Sequence, residues 1–264
     1  MDAKLSLTIV VYHNYRDAWH ALESIERYTD PQLSKQIFIV DNSYPEFTEE
    51  RNEKENFKKK ISKYHDICYL YTGDNLGFGK GHNYVLPKLN SEYHAIINPD
   101  VLLIEDTFSS IIEYLDKNND VGMCIPKIID ENGKLQLVYR EEVTVLDMFI
   151  RMFCRGLFPR RMARHTLQNK DFSKTFQVPF GQGSFLVIKT KLFRELGGFD
   201  NNFFLYLEDA DLCKRVNQVS KLMYYPGTSI IHKWEQGSHK SKTLFWYHIQ
   251  SMRCYFKKWG YKFF

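Results

Sequence analysis

"LSLTIVVYHNY" spans Leu5 to Tyr15, and from Leu5 to Tyr12 it is rich in β-branched residues and nearly continuous in apolar ones. A strand with one wet face alternates apolar and polar, so this run fits a parallel strand covered by helices on both sides. Asn14 then offers an N-cap for a helix reaching Tyr28. Outward from this unit the pattern recurs. "QIFIVDNS" (36–43) is apolar with its polar residues at the carboxyl end, and "EFTEERNEKENFKKK" (46–60) reads as a solvated helix. "ICYLYTGDN" (67–75), "EYHAIINPD" (92–100) and "VGMCIPKI" (121–128) supply three more strands, with a helix over Glu105 to Lys117. This order predicts an α/β fold with a doubly wound, mostly parallel sheet.

The bounds agree with one large α/β domain. At 264 residues the chain can bury a sizeable core. A net charge of +4 from 36 basic and 32 acidic residues excludes a wholesale nucleic-acid binder. The charge is uneven, however. Residues 151–170 hold six Lys or Arg and no acid, and from Lys240 onward there are six more, again without an acid, among nine aromatics. Such patches suit a phosphate-bearing partner or a membrane surface, or simply a solvated basic face. Five scattered cysteines without a C-x-x-C pair point to a reducing compartment, with no zinc site and no disulfide framework. No apolar stretch is long enough to span a bilayer, so a cytoplasmic protein, at most peripheral to the inner face of the cell membrane, is expected. The basic, aromatic and Met-rich segment Glu141 to Lys174 reads as an insertion rather than core sheet.

Ligands of open parallel sheets sit beyond the carboxyl ends of the strands. Those ends carry Tyr12 and His13, Asp41 and Asn42, Asp74 and Asn75, and Asn98 and Asp100. Each alone is an ordinary turn former; together they outline a nucleotide-sized cleft. "GDNLGFGKGHN" (73–83) places Gly77, Gly79 and Gly81 at alternate positions, which permits close backbone approach to a phosphate or base. It lacks the dinucleotide fingerprint and follows the third strand, which disfavours a nicotinamide cofactor. "INPD" leaves one carboxylate, Asp100, for a divalent cation, or merely ends a strand with an Asn-Pro turn. "FFLYLEDADLCKRV" (203–216) puts Glu208, Asp209 and Asp211 at the start of a helix behind an aromatic run; dipole capping explains at least one acid, and three exceed what capping requires.

The ordered set "TIVVYHN", "IVDNS", "DNLGFGKGHN", "INPDV", "GQGSFLVIKTKLFRELGGFDNNFFLYLEDADLCKRV" and "IIHKWEQGSHKS" resembles glycosyltransferase family 2, the inverting GT-A fold, over residues 5–240. Within it the set is similar to the bacterial rhamnosyltransferase branch. The resemblance implies a GT-A, Rossmann-like domain over 1–240, divided into a nucleotide-binding half (1–104) and an acceptor-binding and catalytic half (105–240), followed by a basic aromatic amphipathic helix over 241–264. It further implies that Tyr12, Asp41, Asn75, Gly77, Asn83, Asn98 and Asp100 bind the nucleotide sugar. Asn98-Pro99-Asp100 stands where the family writes Asp-x-Asp, so the last acid is kept and the first is not. Asp100 and His232 would hold Mg²⁺ or Mn²⁺. Asp209 would be the general base, and Glu208 would orient the acceptor or the loop; "GQGSF" and "GGFD" would floor the sugar.

The implied reaction is a single inverting displacement that moves one sugar from a nucleoside diphosphate sugar, with dTDP-rhamnose favoured, onto a saccharide acceptor. A lipid diphosphate-linked acceptor fits the basic aromatic segments, which could rest on a membrane surface, in cell-surface polysaccharide synthesis. Other readings are a family 2 transferase using a UDP- or GDP-hexose, a nucleotidyltransferase, which lacks its phosphate loop here, and a non-catalytic saccharide-binding subunit. Nucleic acid is not an expected partner.

Overall fold

The structure is a computed structural model that describes residues 3–44, 48–233 and 242–264. The chain begins β1 (Ala3–Val11), α1 (Tyr15–Tyr28), β2 (Lys35–Asp41), α2 (Thr48–Ile61) and β3 (Ile67–Tyr71). It continues through α3 (Phe78–Asn83), β4 (Ser91–Ile97), β5 (Val101–Leu103), α4 (Thr107–Lys117), β6 (Val121–Ile129) and β7 (Tyr139–Arg140). After α5 (Val145–Phe149), a π turn over Ile150–Cys154 and α6 (Pro159–His165) come β8 (Phe176–Gln177), β9 (Phe180–Gly181), β10 (Phe185–Lys189) and α7 (Thr190–Glu195). The described chain closes with α8 (Glu208–Val219), β11 (Lys221–His232) and α9 (Lys242–Trp259).

One sheet of nine strands has the order β3-β2-β1-β4-β10-β6-β11-β5, with β8 also on β11. Strands β1, β2, β3, β4, β6 and β11 run one way; β5, β8 and β10 run the other. The sheet is thus mostly parallel by strand direction, and its second half is mixed. In β1 both faces are buried: Leu5, Leu7, Ile9 and Val11 are inaccessible, and so are Ser6 and Thr8. The two hydroxyls are tolerated because His94 of β4 lies between them, with Nδ1 2.8 Å from Ser6 Oγ and Nε2 3.4 Å from Thr8 Oγ1.

The helices follow the sequence pattern with three informative departures. Asn14 does precede α1, yet its Oδ1 accepts the Tyr12 amide at 3.0 Å rather than a helix N–H, which folds the end of β1 back on itself. Helix α2 is not wholly solvated: Phe57 and Ile61 are buried, and Lys54 on the same side reaches Asp41. Helix α4 starts at Thr107, two residues later than expected, because Asp106 caps it by accepting the Ser109 amide. Residues 141–174 leave the main sheet, as an insertion should, while the flanking β7 pairs with β9 in a separate two-stranded ladder.

The C-terminal helix is docked on the domain. Trp259 Nε1 donates to Asp211 Oδ1 at 2.8 Å, Lys258 pairs with both Asp211 and Asp200, and Tyr255 and Phe256 are buried. Fully buried Asp211 also receives Arg215 Nε at 2.8 Å, so that acid of the 208–211 trio is structural. No helix among the described residues is long and apolar enough to cross a membrane.

Candidate active site

The parallel register brings Val11, Asp41 and Tyr71 into one row at the carboxyl edge of β1, β2 and β3. Tyr12, Tyr44 and Tyr71 stand exposed there; Tyr12 Oη donates to Tyr44 Oη at 2.8 Å, and burial together with that neighbour pushes the Tyr12 phenol up to about 12. Asn75 reaches the same tyrosine and also accepts the Gly77 amide at 3.0 Å. Tyr12 and Asn75 therefore do share a surface. Asp41 lies beneath it, fully buried and saturated: it accepts from Tyr15, Tyr69 and the Ser43 amide, and Lys54 Nζ is 3.0 Å away. Burial alone would raise its carboxyl, but the hydrogen bonds and the Lys54 ammonium prevail and hold it below the usual carboxylate range.

The alternate glycines are filled by protein. A Cβ on Gly77 would lie 2.1 Å from the Phe204 carbonyl oxygen, and its φ of +79° is left-handed; the neighbouring Phe78 amide donates to that same carbonyl at 3.1 Å. The loop is thereby clasped to the segment that precedes the Glu208-Asp209 pair. Asn83 supports the same clasp from behind. Its amide nitrogen donates to the Phe199 carbonyl at 2.7 Å, and its oxygen accepts the Phe199 N–H at 2.8 Å. Gly198 is required beside it, since a Cβ there would meet Asn83 Oδ1 at 2.2 Å.

The other half of the site is a cleft of about 1430 Å³ lined by Asn98, Gln136, Gly183, Glu208, Asp209 and His232 among others. Tyr12, Asp41, Asn75, Gly77, Asn83 and Asp100 are not among its lining residues, so the expected site divides into an outer shelf, an inner cleft and Asp100 beside the cleft-lining His232. On one wall His232 Nε2 is 3.4 Å from Asp100 Oδ2, and its Nδ1 faces Gln136 Oε1 at 3.1 Å. Gln136 Nε2 returns a bond to the His232 carbonyl at 2.6 Å, fixing the ring. Residues 234–241, the rest of the "IIHKWEQGSHKS" motif, lie outside the described residues.

The carboxylate pair lines the same cleft. Tyr206 and Leu207 both adopt left-handed backbone, with φ of 73° and 64°, to turn the chain into α8. This strain sets Glu208 and Asp209 at the cleft floor. Burial, then the charge of Asp209, drive the Glu208 carboxyl well above its ordinary range, and burial raises Asp209 also. Asp209 is partly compensated: Oδ2 accepts the Gly183 amide at 3.0 Å, Oδ1 accepts the Ala210 amide at 2.8 Å, and Arg140 and Arg151 add positive potential. Glu208 Oε2 is buried with no partner among the described residues. Burial thus raises both carboxyls, and the amides and arginines around Asp209 offset part of that rise.

Further buried oxygens have no partner among the described residues: Asn98 Oδ1, Asp100 Oδ1, Gln182 Oε1 and Ser184 Oγ. Buried polar atoms are normally satisfied, so a cluster of exceptions marks groups arranged for a ligand. Among the described residues no three His, Cys, Asp or Glu side chains converge on one point. The unpaired Asp100 oxygen and the facing His232 nitrogen nevertheless fit a divalent cation whose remaining ligands come from water or a diphosphate. Sequence reasoning missed Gln136, Arg140, Arg151 and His248. Gln136 lies 96 residues from His232 and has no local signal, and His248, stacked on Tyr206 at 4.8 Å, was hidden among the tail's aromatics.

Residues 6–197 match the family model described as glycosyl transferase family 2, and the chain belongs to that family. Over 230 residues it is 26% identical to the rhamnosyltransferase WbbL of Escherichia coli K12, covering 83% of this chain and 84% of that protein. It is 24% identical over 186 residues to the N-acetylglucosaminyl-diphospho-decaprenol L-rhamnosyltransferase of Mycobacterium tuberculosis, covering 65% of this chain and 60% of that protein. The fold is the GT-A arrangement. It is similar to GalNAc-T7 crystallised with UDP, GalNAc and Mn²⁺ (TM-score 0.66, 15% identity, 89% of this chain and 45% of that one). It is likewise similar to the mannosyltransferase PcManGT of Pyrobaculum calidifontis with GDP-Man and Mn²⁺ (TM-score 0.64, 14% identity, 97% of this chain and 65% of that one).

Proposed function

We propose that this glycosyltransferase moves one L-rhamnosyl residue, with inversion, from dTDP-rhamnose to a saccharide carried on a lipid diphosphate in bacterial cell-surface polysaccharide synthesis. The observation that carries the catalytic part is that the buried Glu208-Asp209 pair and His232 line one cleft, with Asp100 3.4 Å from the His232 ring. Asp209, whose basicity burial raises, takes the proton of the acceptor hydroxyl as that oxygen attacks the anomeric carbon. Glu208, driven well above its ordinary range by burial and by the neighbouring Asp209, lines the cleft beside the base and orients the acceptor or the loop. The Gly183 and Ala210 amides fix the base, and Asn98, Gln182 and Ser184 offer polar atoms to sugar hydroxyls. Asp100 and His232 would hold Mg²⁺ or Mn²⁺, which supplies electrostatic stabilisation of the departing diphosphate. Tyr12 and Asn75 form the shelf on which the nucleoside rests, with Asp41, Gly77 and Asn83 shaping it from within.

The donor assignment is supported by the two rhamnosyltransferase relatives, and the lipid-linked acceptor by the mycobacterial one. Nucleoside diphosphate release from a panel of sugar nucleotides, with and without Mn²⁺, tests the reading. Release from dTDP-rhamnose alone is expected; equal release from UDP- or GDP-hexoses would reassign the donor. Binding of donor with no turnover under any acceptor or metal would favour a saccharide-binding subunit instead.

A further inference from the structure

A group of exposed apolar side chains lies on the 149–158 segment and the start of α9, apart from the exposed tyrosines of the nucleotide shelf. Phe149 is 52% exposed, Phe153 61%, Leu157 77%, Phe158 47% and, on α9, Trp246 58%. The two segments are joined by ring contacts: Phe149 to Phe153 at 5.2 Å, Phe153 to Phe245 at 6.4 Å, and Phe245 to Trp246 at 6.2 Å. Phe149, Phe153 and Leu157 recur every fourth residue, across a π turn and a 3₁₀ turn that replace a regular helix. A soluble surface rarely spends large apolar groups this way, and a contiguous patch marks an interaction site.

The charge around the patch identifies the partner. Residues 151–170 carry six Lys or Arg and residues 242–264 carry five; of these Arg161, Lys258 and Lys262 are paired with Asp147, Asp200 and Glu142. Arg160, Arg164 and Lys242 are exposed. A second copy of the chain would bring two basic rims together and is disfavoured. Apolar tips inside a basic rim are the complement of an anionic bilayer, whose headgroups pair with the cations while its acyl boundary takes the rings.

We propose that the 149–158 segment and the first turns of α9 together form a docking face for an anionic lipid bilayer, placed so that the catalytic cleft opens at headgroup level. The link to the cleft is direct. Arg151, Arg160 and Met162, on or beside the exposed segment, and His248, one half-turn past Trp246, line the cavity that holds Asp209. An acceptor anchored in the bilayer thus reaches the base without being extracted. The role of this face in acceptor delivery rests on the transferase reading; the lipid binding does not.

The test is flotation of the full chain on vesicles of phosphatidylcholine, alone or with ~30% phosphatidylglycerol, together with Trp emission. Wild type is expected to float with the anionic vesicles, more weakly with neutral ones and at high salt, with a blue-shifted emission that Trp246→Phe removes. Phe153→Ser combined with Leu157→Ser is expected to bind about tenfold more weakly while releasing nucleoside diphosphate in lipid-free solution at the wild-type rate. Three results overturn the proposal: wild type that stays unbound with unchanged emission, a double variant that floats like wild type, or a lipid-free dimer that the double variant dissociates. Absence of donor turnover in wild type would instead count against the transferase reading, because flotation is scored without donor.

Discussion

Asp41 and Asp100 both follow strands of the same sheet at its carboxyl edge, and the fold treats them in opposite ways. Asp41 is closed in by Tyr15, Tyr69, Ser43 and Lys54, so every demand of its charge is met by protein. Asp100 keeps one buried oxygen without a partner among the described residues and turns the other to His232. The same contrast separates Asp211, tied to Arg215, Lys258 and Trp259, from Glu208 one helical turn earlier, whose Oε2 has no partner among the described residues. Satisfied acids hold elements together; unsatisfied ones are kept at a cost in stability and serve chemistry. Substitution should therefore damage stability on one side of the comparison and activity on the other.

The largest effect is expected at the proposed base. Asp209→Asn should lower donor turnover by roughly 10²–10⁴-fold while donor affinity measured by calorimetry stays near wild type; a loss confined to affinity would move Asp209 to a binding role. Next comes the satisfied side. Asp41→Asn leaves the Lys54 ammonium buried without its counter-charge and should cost about 3 kcal/mol in denaturant unfolding. An unchanged midpoint would show that α2 does not depend on this pair.

Glu208→Gln probes the opposite sign. A carboxyl whose folded pKa is raised contributes its stability fully below the unfolded value and loses it as pH climbs toward the folded value. The amide has no such loss, so the variant should match wild type near pH 4 and gain on it by about 1.4 kcal/mol per pH unit above that, until the folded Glu208 ionises. Parallel stability curves would place Glu208 outside a desolvated site. By the same direction of shift, the acid limb of the turnover profile should lie above the ordinary Asp value of 3.8, and Asp209→Asn should abolish that limb. The smallest effect is indirect. Gln136→Ala frees the His232 ring and should raise the Mn²⁺ concentration for half-maximal activity about tenfold without changing the plateau; a changed plateau would assign Gln136 to the sugar instead.

Much of the fold was legible because apolar periodicity is a local property. β1, β2, β3, β4 and β6 fall where the runs predicted them, and α8 begins at the acidic trio. Less legible were elements fixed by distant partners. β10 enters between β4 and β6 in the antiparallel sense, and α2 turns Lys54 inward because an acid from β2 waits there. The three glycines illustrate the limit best. Their spacing announces that something must come close, but only the packing shows that Phe204, Phe199 and Asn42 are what comes.

The sequence by itself determined the alternating strands and helices of the first half, the family, and which acids, glycines and histidine were worth watching. Motif spacing and hydrophobic period survive without coordinates because each is written within a few dozen residues. Only the tertiary structure decided which of those acids are already neutralised and which face a cleft with unpaired oxygens, and that α9 and the 149–158 segment present one apolar face. Desolvation and pairing depend on what lies a few ångströms away in space, and for Asp41, Asp100, Glu208 and Phe153 those neighbours come from distant parts of the chain or from a backbone turn that composition does not encode.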